Sequence, residues 1–356
     1  MKILTVNPGS TSTKIAVFED EKNVFQKNLQ HGADDLKDYK IVTEQLEFRK
    51  KAILNVLQEA GYEIKAFDAV VGRGGLMHPV PSGVFEVNDK MKADLLTCKF
   101  GEHASNLGAL IADNIAKLKP GMRAFIADPV VVDELQEVAR VAGHPLFRRA
   151  AAFHALNQKA IAKAHAGSSG KKYEEMNLIV AHLGGGISVG AHKHGKIIDV
   201  TNAVDGEGPF SPERSGALPS LQVAQLCFSG KYSFFDIKKM LTGKGGMVAH
   251  LGINQFQKIE QELLPSGDRH AALIHEAMAY NIAKFIGEMA TVLEGNVDGI
   301  LITGGIAWNP LMVASITEKV KFIAPVTVYP GEDEMAALAG NGLAALRGEA
   351  GILKYE

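Results

Sequence analysis

The chain has 356 residues, more than one hydrophobic core usually supports, so two domains are expected. Hydrophobic residues make up 46% of it and charged residues 22%, with a net charge of −2 at pH 7. This balance is typical of a globular protein and argues against nucleic acid or a membrane surface as a partner. No apolar run approaches a membrane span, and the N-terminal pattern is not that of a secretory signal, so we expect a cytoplasmic protein.

The first 18 residues predict a β-hairpin with an unusual turn. Strands at residues 3–6 and 14–18 flank a loop that carries Asn7, Ser10, Ser12 and Lys14. Backbone N–H groups, hydroxyls and a cation at such a tip can bind phosphate oxygens. The alternative is an ordinary turn stabilised by its own Ser/Thr hydrogen bonds. In an extended loop, Ser10 and Ser12 would point to the same side.

Two later strand ends carry candidate site residues. A helix at 44–60 precedes an apolar strand that ends in glycines on both sides of Arg73, which favours an exposed, anion-binding guanidinium. Asp128 follows the strand 124–127 directly. It would either act at the strand end or cap a helix over residues 130–139.

The second half of the chain repeats the first. Residues 177–192 again read as strand, small-residue turn and strand, with Gly184, Gly185 and Gly186 in the turn and a third strand at 197–201. A helix at 271–293 then precedes a strand that ends in Gly304 and Gly305. Two copies of a hairpin, strand, helix and strand predict mixed sheets flanked by helices, with the ligand between the copies.

The predicted domains are residues 1–172 and 173–334, with a C-terminal helix at about 335–356 that packs back on the first domain. Short strands at 124–127 and 325–329 close the two copies. Cys98 and Cys227 are far apart and show no metal or redox spacing. We expect both to be small buried residues in a reducing compartment.

Arg214 lies in a long stretch, residues 201–220, without helix or strand periodicity. Such loops in compact domains are usually functional or disordered. A guanidinium there matches the oxygens of phosphate or carboxylate. The alternative is a structural ion pair with Asp205, Glu207 or Glu213.

Together these segments resemble the acetokinase family, within the superfamily of acetate and sugar kinases, Hsp70 and actin. The motifs that carry the resemblance are residues 5–14, 71–75, 127–129, 153–157, 182–186, 212–216 and 303–307. The resemblance is greatest to members that phosphorylate butyrate. It implies two duplicated ribonuclease H-like (actin-like ATPase) domains with a cleft between them.

The resemblance also implies roles for individual residues. Catalysis is assigned to Arg73, Arg214, Asp128 and His154. Binding of ATP or ADP is assigned to Asn7, Ser10, Ser12, Lys14, His182, Gly184, Gly185, Gly186, Gly304, Gly305, Ile306 and Asn309. Mg²⁺ is assigned to Asn7 and Glu334, with Glu332 as the alternative. His103 is a weaker candidate of the same kind as His154, and Trp308 either stacks on the adenine or belongs to the core. Gly185 stands where acetate kinases carry Asn, so that position offers only its backbone.

The implied activity is reversible phosphoryl transfer between ATP and butyrate, giving butanoyl phosphate and ADP. A carboxylate has a pKa of roughly 4–5 and is already ionised at neutral pH, so no general base is needed. Gly72 would leave room for the acyl chain, and Leu76 and Met77 would line its pocket. Each buried CH₂ contributes about 0.8 kcal/mol, which predicts modest chain-length selectivity.

Other acceptors remain open, including isobutyrate, propionate and acetate, and so does a non-catalytic ATP-dependent sensor or chaperone. The expected partners are the carboxylate and its acyl phosphate. The family also implies a homo-oligomer, a dimer or larger.

Overall fold

A computed structural model describes residues 1–204 and 206–356 as a mixed α/β fold with two sheets. The strands are β1 Lys2–Pro8, β2 Ser12–Glu19, β3 Lys22–Gln30, β4 Ala69–Arg73, β5 Val84–Glu86, β6 Arg123–Ala127, β7 Asn177–Leu183, β8 Ile187–Lys193, β9 Lys196–Val200, β10 Gly299–Gly304, β11 Val326–Pro330 and β12 Ile352–Leu353. The α-helices are α1 Ala33–Leu36, α2 Leu46–Glu59, α3 Asp89–Leu96, α4 Asn106–Ala116, α5 Ala155–Ser168, α6 Ser220–Cys227, α7 Phe234–Leu241, α8 Gly246–Leu251, α9 Phe256–Lys258, α10 Arg269–Val292, α11 Pro310–Val320 and α12 Glu334–Arg347.

Short helical turns connect these elements. The 3₁₀ turns are Val42–Gln45, Ile64–Ala66, Glu137–Arg140, Tyr173–Glu175 and Gly305–Trp308, and a π-helical turn covers Ile259–Leu263. Among the helices of the described ranges, none has both the length and the apolar character needed to cross a bilayer.

The first compact unit comprises Met1–Asp133 and Asp333–Glu356. Its seven-stranded sheet has the order β12-β5-β6-β4-β1-β2-β3, in which β1 pairs antiparallel with β2 and parallel with β4. Helices α2 and α4 cover one face, over a core that includes Leu4 and Val6 of β1. Helix α12 packs on the opposite face against β1 and β4. It approaches β4 closely at Gly342, where a Cβ would come within 2.4 Å of a Val71 methyl carbon.

The second compact unit comprises Glu134–Glu332. Its five-stranded sheet has the order β11-β10-β7-β8-β9. Strand β7 pairs antiparallel with β8 and parallel with β10, as β1 does with β2 and β4. Helices α10 and α11 cover one face and bury Met278, Ile282 and Met312 against the strands. Helix α5 covers the other face of β7 and β10.

The two sheets repeat one design. Strand order β6-β4-β1-β2-β3 in the first unit corresponds to β11-β10-β7-β8-β9 in the second. An aspartate fixes the start of each central strand: the Asp68 carboxylate accepts from the Lys2 N–H at 2.8 Å, and Asp298 accepts from the Asn177 N–H at 2.7 Å. The predicted duplication is therefore present in the pairing of the strands. By this equivalence, Asn7 and His182 occupy the same position in their sheets.

The compact units divide the chain after Asp133 and after Glu332. Helix α5 lies in the second unit because it packs on β7 and β10, whereas the predicted boundary at residue 172 assigns it to the first domain. That predicted boundary, with domains of 1–172 plus about 335–356 and 173–334, stays a prediction.

Two local expectations are wrong. No α-helix covers residues 130–139; Val132 forms a β-bridge with Val80, and only the 3₁₀ turn Glu137–Arg140 follows. The cysteines are not buried: Cys98 is partly exposed and Cys227 is exposed at the end of α6, a helix with no buried residue. Both errors arose because apolar composition was taken as evidence of burial or of a helix.

Candidate functional site

The first hairpin presents polar side chains on one face of the sheet. Asn7 lies directly opposite Lys14 in the β1–β2 register, and Ser12 shares the Lys14 face of β2. The loop is not extended, because the Gly9 N–H donates to the Ser12 carbonyl at 2.8 Å and closes a tight turn. Ser10 is therefore exposed at the tip of this turn, separate from the face that carries Ser12.

Arg49, which sequence reasoning missed, fixes the backbone of this turn through hydrogen bonds to its carbonyls. Its side chain is fully buried in α2 and donates to the carbonyls of Gly9 and Ser12 at 2.8 Å and of Ser10 at 3.0 Å. Burial lowers the pKa of the guanidinium to about 10, which leaves it cationic at neutral pH. Arg49, Ile53 and Leu57 are spaced four residues apart on the buried face of α2, and this spacing was the available signal.

Arg73, Glu334 and Asn7 form one hydrogen-bonded group. Arg73 ends β4, and its Nη1 lies 2.7 Å from Glu334 Oε1. Glu334 begins α12, and its other carboxylate oxygen accepts from Asn7 Nδ2. The acidic residue also favours the positive end of the α12 dipole. A catalytic candidate and both predicted metal-associated residues thus meet on the same face of the first sheet.

Asp128 follows β6, beside the end of β4, in an unusual backbone conformation. Its φ is +38°, which is rare for a residue with a side chain, and the side chain is 3% exposed. Oδ1 accepts from Ser82 Oγ at 2.6 Å and from the Gly83 N–H at 2.9 Å. Oδ2 is buried and has no hydrogen-bond partner among the described residues. Such an unpaired buried oxygen with a strained backbone is typical of a site that binds something.

The three residues predicted to line the acyl pocket differ in how accessible they are to a ligand. A Cβ on Gly72 would lie 2.2 Å from the Gly108 carbonyl oxygen, so this glycine serves the packing of α4 and leaves no room for an acyl chain. Met77 is 2% exposed within an apolar cluster. Leu76 is half-buried and is the accessible member of the three. His103, the weaker candidate, lies with its Nδ1 2.8 Å from Ser105 Oγ.

The second hairpin carries a glycine turn between β7 and β8. The Gly184 N–H donates to the Gly186 carbonyl at 3.1 Å, and Ser211 Oγ donates to the Gly185 carbonyl at 2.6 Å. Among the described residues, no hydrogen bond uses the N–H groups of Gly185 and Gly186. Two backbone donors are therefore available for an anion, as phosphate binding requires.

Arg214 lies on this glycine turn. A Cβ on Gly186 would fall 2.0 Å from Arg214 Nη1, so only glycine lets the guanidinium occupy this place. Nη1 donates to the Ala203 carbonyl at 2.6 Å, and the backbone of Arg214 is fixed by hydrogen bonds with Ser211.

The charge of Arg214 has no carboxylate partner in the described ranges. Glu207, one predicted partner, instead pairs with Arg149, and Glu213 accepts from Asn254 Nδ2 at 2.9 Å. Asp205, the third predicted partner, lies outside the described residues. Burial lowers the pKa of the Arg214 guanidinium, against the opposing effect of the nearby Glu213 charge. A half-buried guanidinium with this environment is suited to an anionic ligand.

His154 and His182 stack on each other in the second unit. Their ring centroids are 3.9 Å apart, and the rings are nearly parallel, at 18°. His154 Nδ1 lies 2.9 Å from Ser188 Oγ, and His182 Nδ1 lies 2.8 Å from Asn157 Oδ1. On its other side, His182 Nε2 is 3.5 Å from Glu332. Glu332 and Glu334, the two metal alternatives, thus contact different predicted site residues.

Both predicted nucleotide segments of the second unit line one pocket of about 290 Å³. The predicted lining residues are Gly184, Gly185, Gly305, Ile306 and Asn309. The pocket is also lined by Pro212 and Glu213, from the motif at 212–216, and by Asn254, Gln255, Phe256 and Gln257. Sequence reasoning missed residues 254–257, which follow no motif and reach the pocket only through the fold.

The strand end beside this pocket requires glycine. Gly304 has a φ of +92°, and a Cβ there would lie 2.4 Å from the Leu183 carbonyl oxygen. Trp308 is 66% exposed next to Gly331, so it does not belong to the core. Its stacking on an adenine stays a prediction.

The donor set of the first unit fits a hydrated Mg²⁺ better than a fully protein-bound metal. No group of three His, Cys, Asp or Glu side chains in the described ranges is arranged to hold a metal by itself. The unpaired oxygen of Asp128 and the carboxylate of Glu334 are the hard ligands that Mg²⁺ prefers. Mg²⁺ commonly uses one or two carboxylates together with waters and substrate phosphates.

The family profile that matches the chain is that of the acetokinase family, over residues 140–329. Butyrate kinase 2 of Clostridium acetobutylicum is 55% identical over 355 residues, which covers 100% of this chain and 99% of that protein. A probable butyrate kinase of Bacteroides thetaiotaomicron is 51% identical over 356 residues and covers 100% of both chains.

Two crystal structures share the fold. The acetate kinase of Porphyromonas gingivalis has a TM-score of 0.81 at 21% identity, covering 97% of this chain and 99% of that one. A propionate kinase of Francisella tularensis has a TM-score of 0.75 at 19% identity, covering 96% and 98%.

The chain belongs to the acetokinase family. The predicted resemblance and the predicted actin-like ATPase fold class are both confirmed. The roles of the individual site residues stay predictions.

Proposed function

We propose that this protein is a butyrate kinase, a phosphotransferase that makes butanoyl phosphate and ADP from butyrate and ATP, and catalyses the reverse reaction. The observation that carries this proposal is the 55% identity to butyrate kinase 2 over essentially both full lengths. The phosphate-type features described above, in both units, supply the chemistry that such a reaction needs.

The proposed reaction is a direct in-line displacement. A carboxylate oxygen of butyrate attacks the γ-phosphorus, the bond from that phosphorus to the β,γ-bridging oxygen breaks, and ADP leaves with the electron pair. No proton moves, because the nucleophile is already ionised. The barrier comes from bringing two anions together and from charge on the equatorial phosphoryl oxygens.

Cationic and N–H donors of this chain would offset that charge. Arg73 and Arg214 would bind the carboxylate and the transferring phosphoryl group, and the imidazole of His154 would donate to a phosphoryl oxygen. The Arg73–Glu334 ion pair holds the guanidinium in a fixed orientation before substrate binds. Preorganised donors of this kind stabilise a transition state without reorganising at the moment of reaction.

ATP and ADP would bind the pocket of the second unit. The β- and γ-phosphates would accept from the N–H groups of Gly185 and Gly186, and the adenosine would lie against residues 305–309. His182, Asn7, Ser10, Ser12 and Lys14 are the further predicted phosphate contacts. In family members the nucleotide is accompanied by a divalent metal, which we propose is Mg²⁺ held by Glu334 and Asp128, with Asn7 orienting a bound water. When bound, the ion would neutralise phosphate charge.

The acyl pocket is proposed around Leu76, since Gly72 and Met77 are occupied in packing. A wall with one accessible apolar side chain discriminates weakly between neighbouring chain lengths, because even a fully buried methylene contributes only about 0.8 kcal/mol, or about a fourfold change in affinity. We therefore expect butyrate to be preferred, with measurable activity on propionate, isobutyrate and valerate.

The proposal includes a homo-oligomer in the cytoplasm, where ATP and fermentation acids are found. The segment of α6 and α7, with the residue that follows α6, supports the oligomer because it exposes several large apolar side chains. These are Leu221, at 71% exposed, Phe228, at 92%, Phe234, at 75%, and Phe235, at 71%. Exposed apolar patches of this kind commonly mark protein interfaces.

The first experiment is hydroxamate trapping of the acyl phosphate with Mg-ATP and a parallel series of acetate, propionate, butyrate, isobutyrate, valerate and benzoate. A maximum of kcat/KM at butyrate supports the proposal. A maximum at acetate keeps the phosphoryl transfer but overturns the butyrate assignment. No product from any acid, with ADP still bound, would instead support a non-catalytic sensor, and ATP hydrolysis stimulated by unfolded peptide would support a chaperone.

A further inference from the structure

A buried chain of hydrogen bonds in the second unit ends on the imidazole of His154. Its members are Tyr173, His192, Gln158 and Ser188, which are 4%, 0%, 0% and 0% exposed. Tyr173 Oη lies 2.7 Å from His192 Nδ1, and His192 Nε2 lies 3.0 Å from Gln158 Oε1. Gln158 Nε2 lies 2.8 Å from Ser188 Oγ, which is 2.9 Å from His154 Nδ1.

The orientation of Gln158 fixes the direction of the chain. Its amide nitrogen also lies 3.3 Å from the Ser188 carbonyl oxygen, which can only accept, so this end of the amide must be the NH₂. The amide oxygen therefore faces His192, whose Nε2 must carry the hydrogen. Gly190 makes room for this arrangement, because a Cβ there would lie 2.6 Å from Gln158 Oε1.

His192 is neutral in this environment. Complete burial lowers its pKa well below the usual value, and the nearby charge of Lys159 acts in the same direction. A neutral ring with its hydrogen on Nε2 has an acceptor at Nδ1. The hydroxyl of Tyr173 therefore donates to His192, and every donor in the chain points toward Ser188.

Ser188 is the last donor in the series and donates to His154. Its oxygen accepts from Gln158, so its own hydrogen needs a different acceptor. Within the described part of the chain, the contact available to that hydrogen is His154 Nδ1. A buried hydroxyl hydrogen without an acceptor is strongly unfavourable, so Ser188 donates to Nδ1.

We propose that this buried chain holds His154 in the tautomer that carries its hydrogen on Nε2. The inference rests on the proposed function for its purpose: only this tautomer lets Nε2 donate to a phosphoryl oxygen while Nδ1 is held in place. Ser188 and Gln158 are then positioning residues, because they act on the reaction through His154. Stacking on His182 fixes the plane of the His154 ring. The buried chain of hydrogen bonds fixes which nitrogen of that ring carries the proton.

The direct test is ¹⁵N NMR of the full chain with labelled histidine at pH 8, with the His154 signals assigned from a His154→Gln variant. We expect a pyridine-type signal for Nδ1 of His154 and a pyrrole-type signal for Nε2. The reverse pattern, or an average of both tautomers, overturns the proposal. This readout does not require kinase activity, so it separates failure of this inference from failure of the proposed function.

Two variants test the cause of the tautomer. Ser188→Ala should mix the two tautomers of His154 and lower kcat by about tenfold or more, with the KM values for ATP and butyrate nearly unchanged. Ser188→Thr keeps the hydroxyl and should keep the pure tautomer. An unmixed His154 spectrum in folded Ser188→Ala protein contradicts the inference.

A second tyrosine–histidine pair in the same unit provides a matched control. Tyr329 Oη lies 2.9 Å from His165 Nδ1, a tyrosine–histidine pair like Tyr173–His192 but outside the buried chain. Tyr173→Phe should shift the His192 signals and broaden those of His154, whereas Tyr329→Phe should shift only His165. Equal effects of both variants on His154 would show that general loosening of the unit is responsible, and would overturn the proposal.

Discussion

Arg73 and Arg214, for which we propose anion binding, are held in two different ways. Arg73 is oriented by the carboxylate of Glu334 at 2.7 Å, whereas Arg214 rests on a glycine and donates to a backbone carbonyl. A paired guanidinium keeps its orientation without substrate, and an unpaired half-buried one gains most from an incoming anion. The two arginines should therefore respond differently to substitution.

Replacing Arg73 with Met should lower kcat by about 10²–10³-fold, the usual loss for one donor to transition-state charge. Arg73→Met also leaves Glu334 without its cationic partner. Arg73→Lys keeps a positive charge and so preserves part of this ion pair. The measurement is steady-state kinetics of acyl phosphate formation for both variants. A kcat within threefold of the parent in Arg73→Met would contradict a catalytic role.

At the scale of elements, α2 and the first hairpin depend on one buried cation. Arg49 connects them through three backbone carbonyls of the turn. With the carbonyls directed into the protein, the hydroxyls and N–H groups of the turn remain for a ligand. The helix thus sets the geometry of a loop that is distant from it in sequence.

Arg49→Met should destabilise the first unit by about 3 kcal/mol, because several charge-assisted hydrogen bonds are lost together. It should also raise the KM for ATP at least tenfold. Thermal unfolding and ATP kinetics measure the two effects. Arg123→Met is the control: it removes a partly exposed pair with Glu86 and should cost less than about 1 kcal/mol. Equal losses in both variants would contradict this role.

Tyr355 makes a buried, titratable contact in the first unit. Tyr355 is 1% exposed, stacks on His78 with centroids 4.3 Å apart, and donates to Asp94 Oδ2 at 3.0 Å. Burial and the hydrogen bond to Asp94 raise the pKa of Tyr355 to about 12. The folded state therefore holds this proton more tightly than the unfolded state does.

Between pH 10 and about 12 the unfolded chain has lost the Tyr355 proton and the folded chain retains it, so stability falls as pH rises. Two pKa units correspond to at most about 2.7 kcal/mol. Tyr355→Phe should lack this part of the pH dependence, as measured by denaturant unfolding at pH 8 and pH 11. Tyr280→Phe, at an exposed ring, should behave like the parent. Identical pH curves for Tyr355→Phe and the parent would contradict the assignment.

At the scale of the whole molecule, the pocket that we propose for the nucleotide is lined by residues of the second compact unit alone. A ligand at 100 times its Kd adds about 2.7 kcal/mol to the stability of the state that binds it. ADP without butyrate should therefore protect residues 184–186, 254–257 and 305–309 from hydrogen exchange. Protection confined to the first unit would place the nucleotide elsewhere.

Repetition made much of this fold predictable. The two hairpins and the paired strands that end in glycine were visible in the sequence, because strand alternation and glycine turns are local properties. The strand order then repeated, as a duplication requires. The acyl pocket was misjudged at Gly72, because sequence does not reveal that a helix carbonyl fills the space beside a glycine.

The site residues that were missed share a different property. The spacing in α2 marks Arg49 as buried, but the partners of Arg49 and of the members of the buried chain are distant in sequence, so no spacing identifies those contacts. Asn254 and its neighbours line the proposed nucleotide pocket without a motif, because their position there depends on the path of the backbone. Local pattern located the turns for which we propose ligand binding, and only the fold revealed what supports them.

The return of α12 to the first sheet has a consequence for synthesis. A ribosome makes β1 before the second unit, but α12, the helix that packs on β1 and β4, emerges only after the whole of Glu134–Glu332. The second unit is a continuous segment, so it can complete its sheet while the earlier one is still missing a layer. The nascent chain therefore begins the first unit earliest and finishes it last.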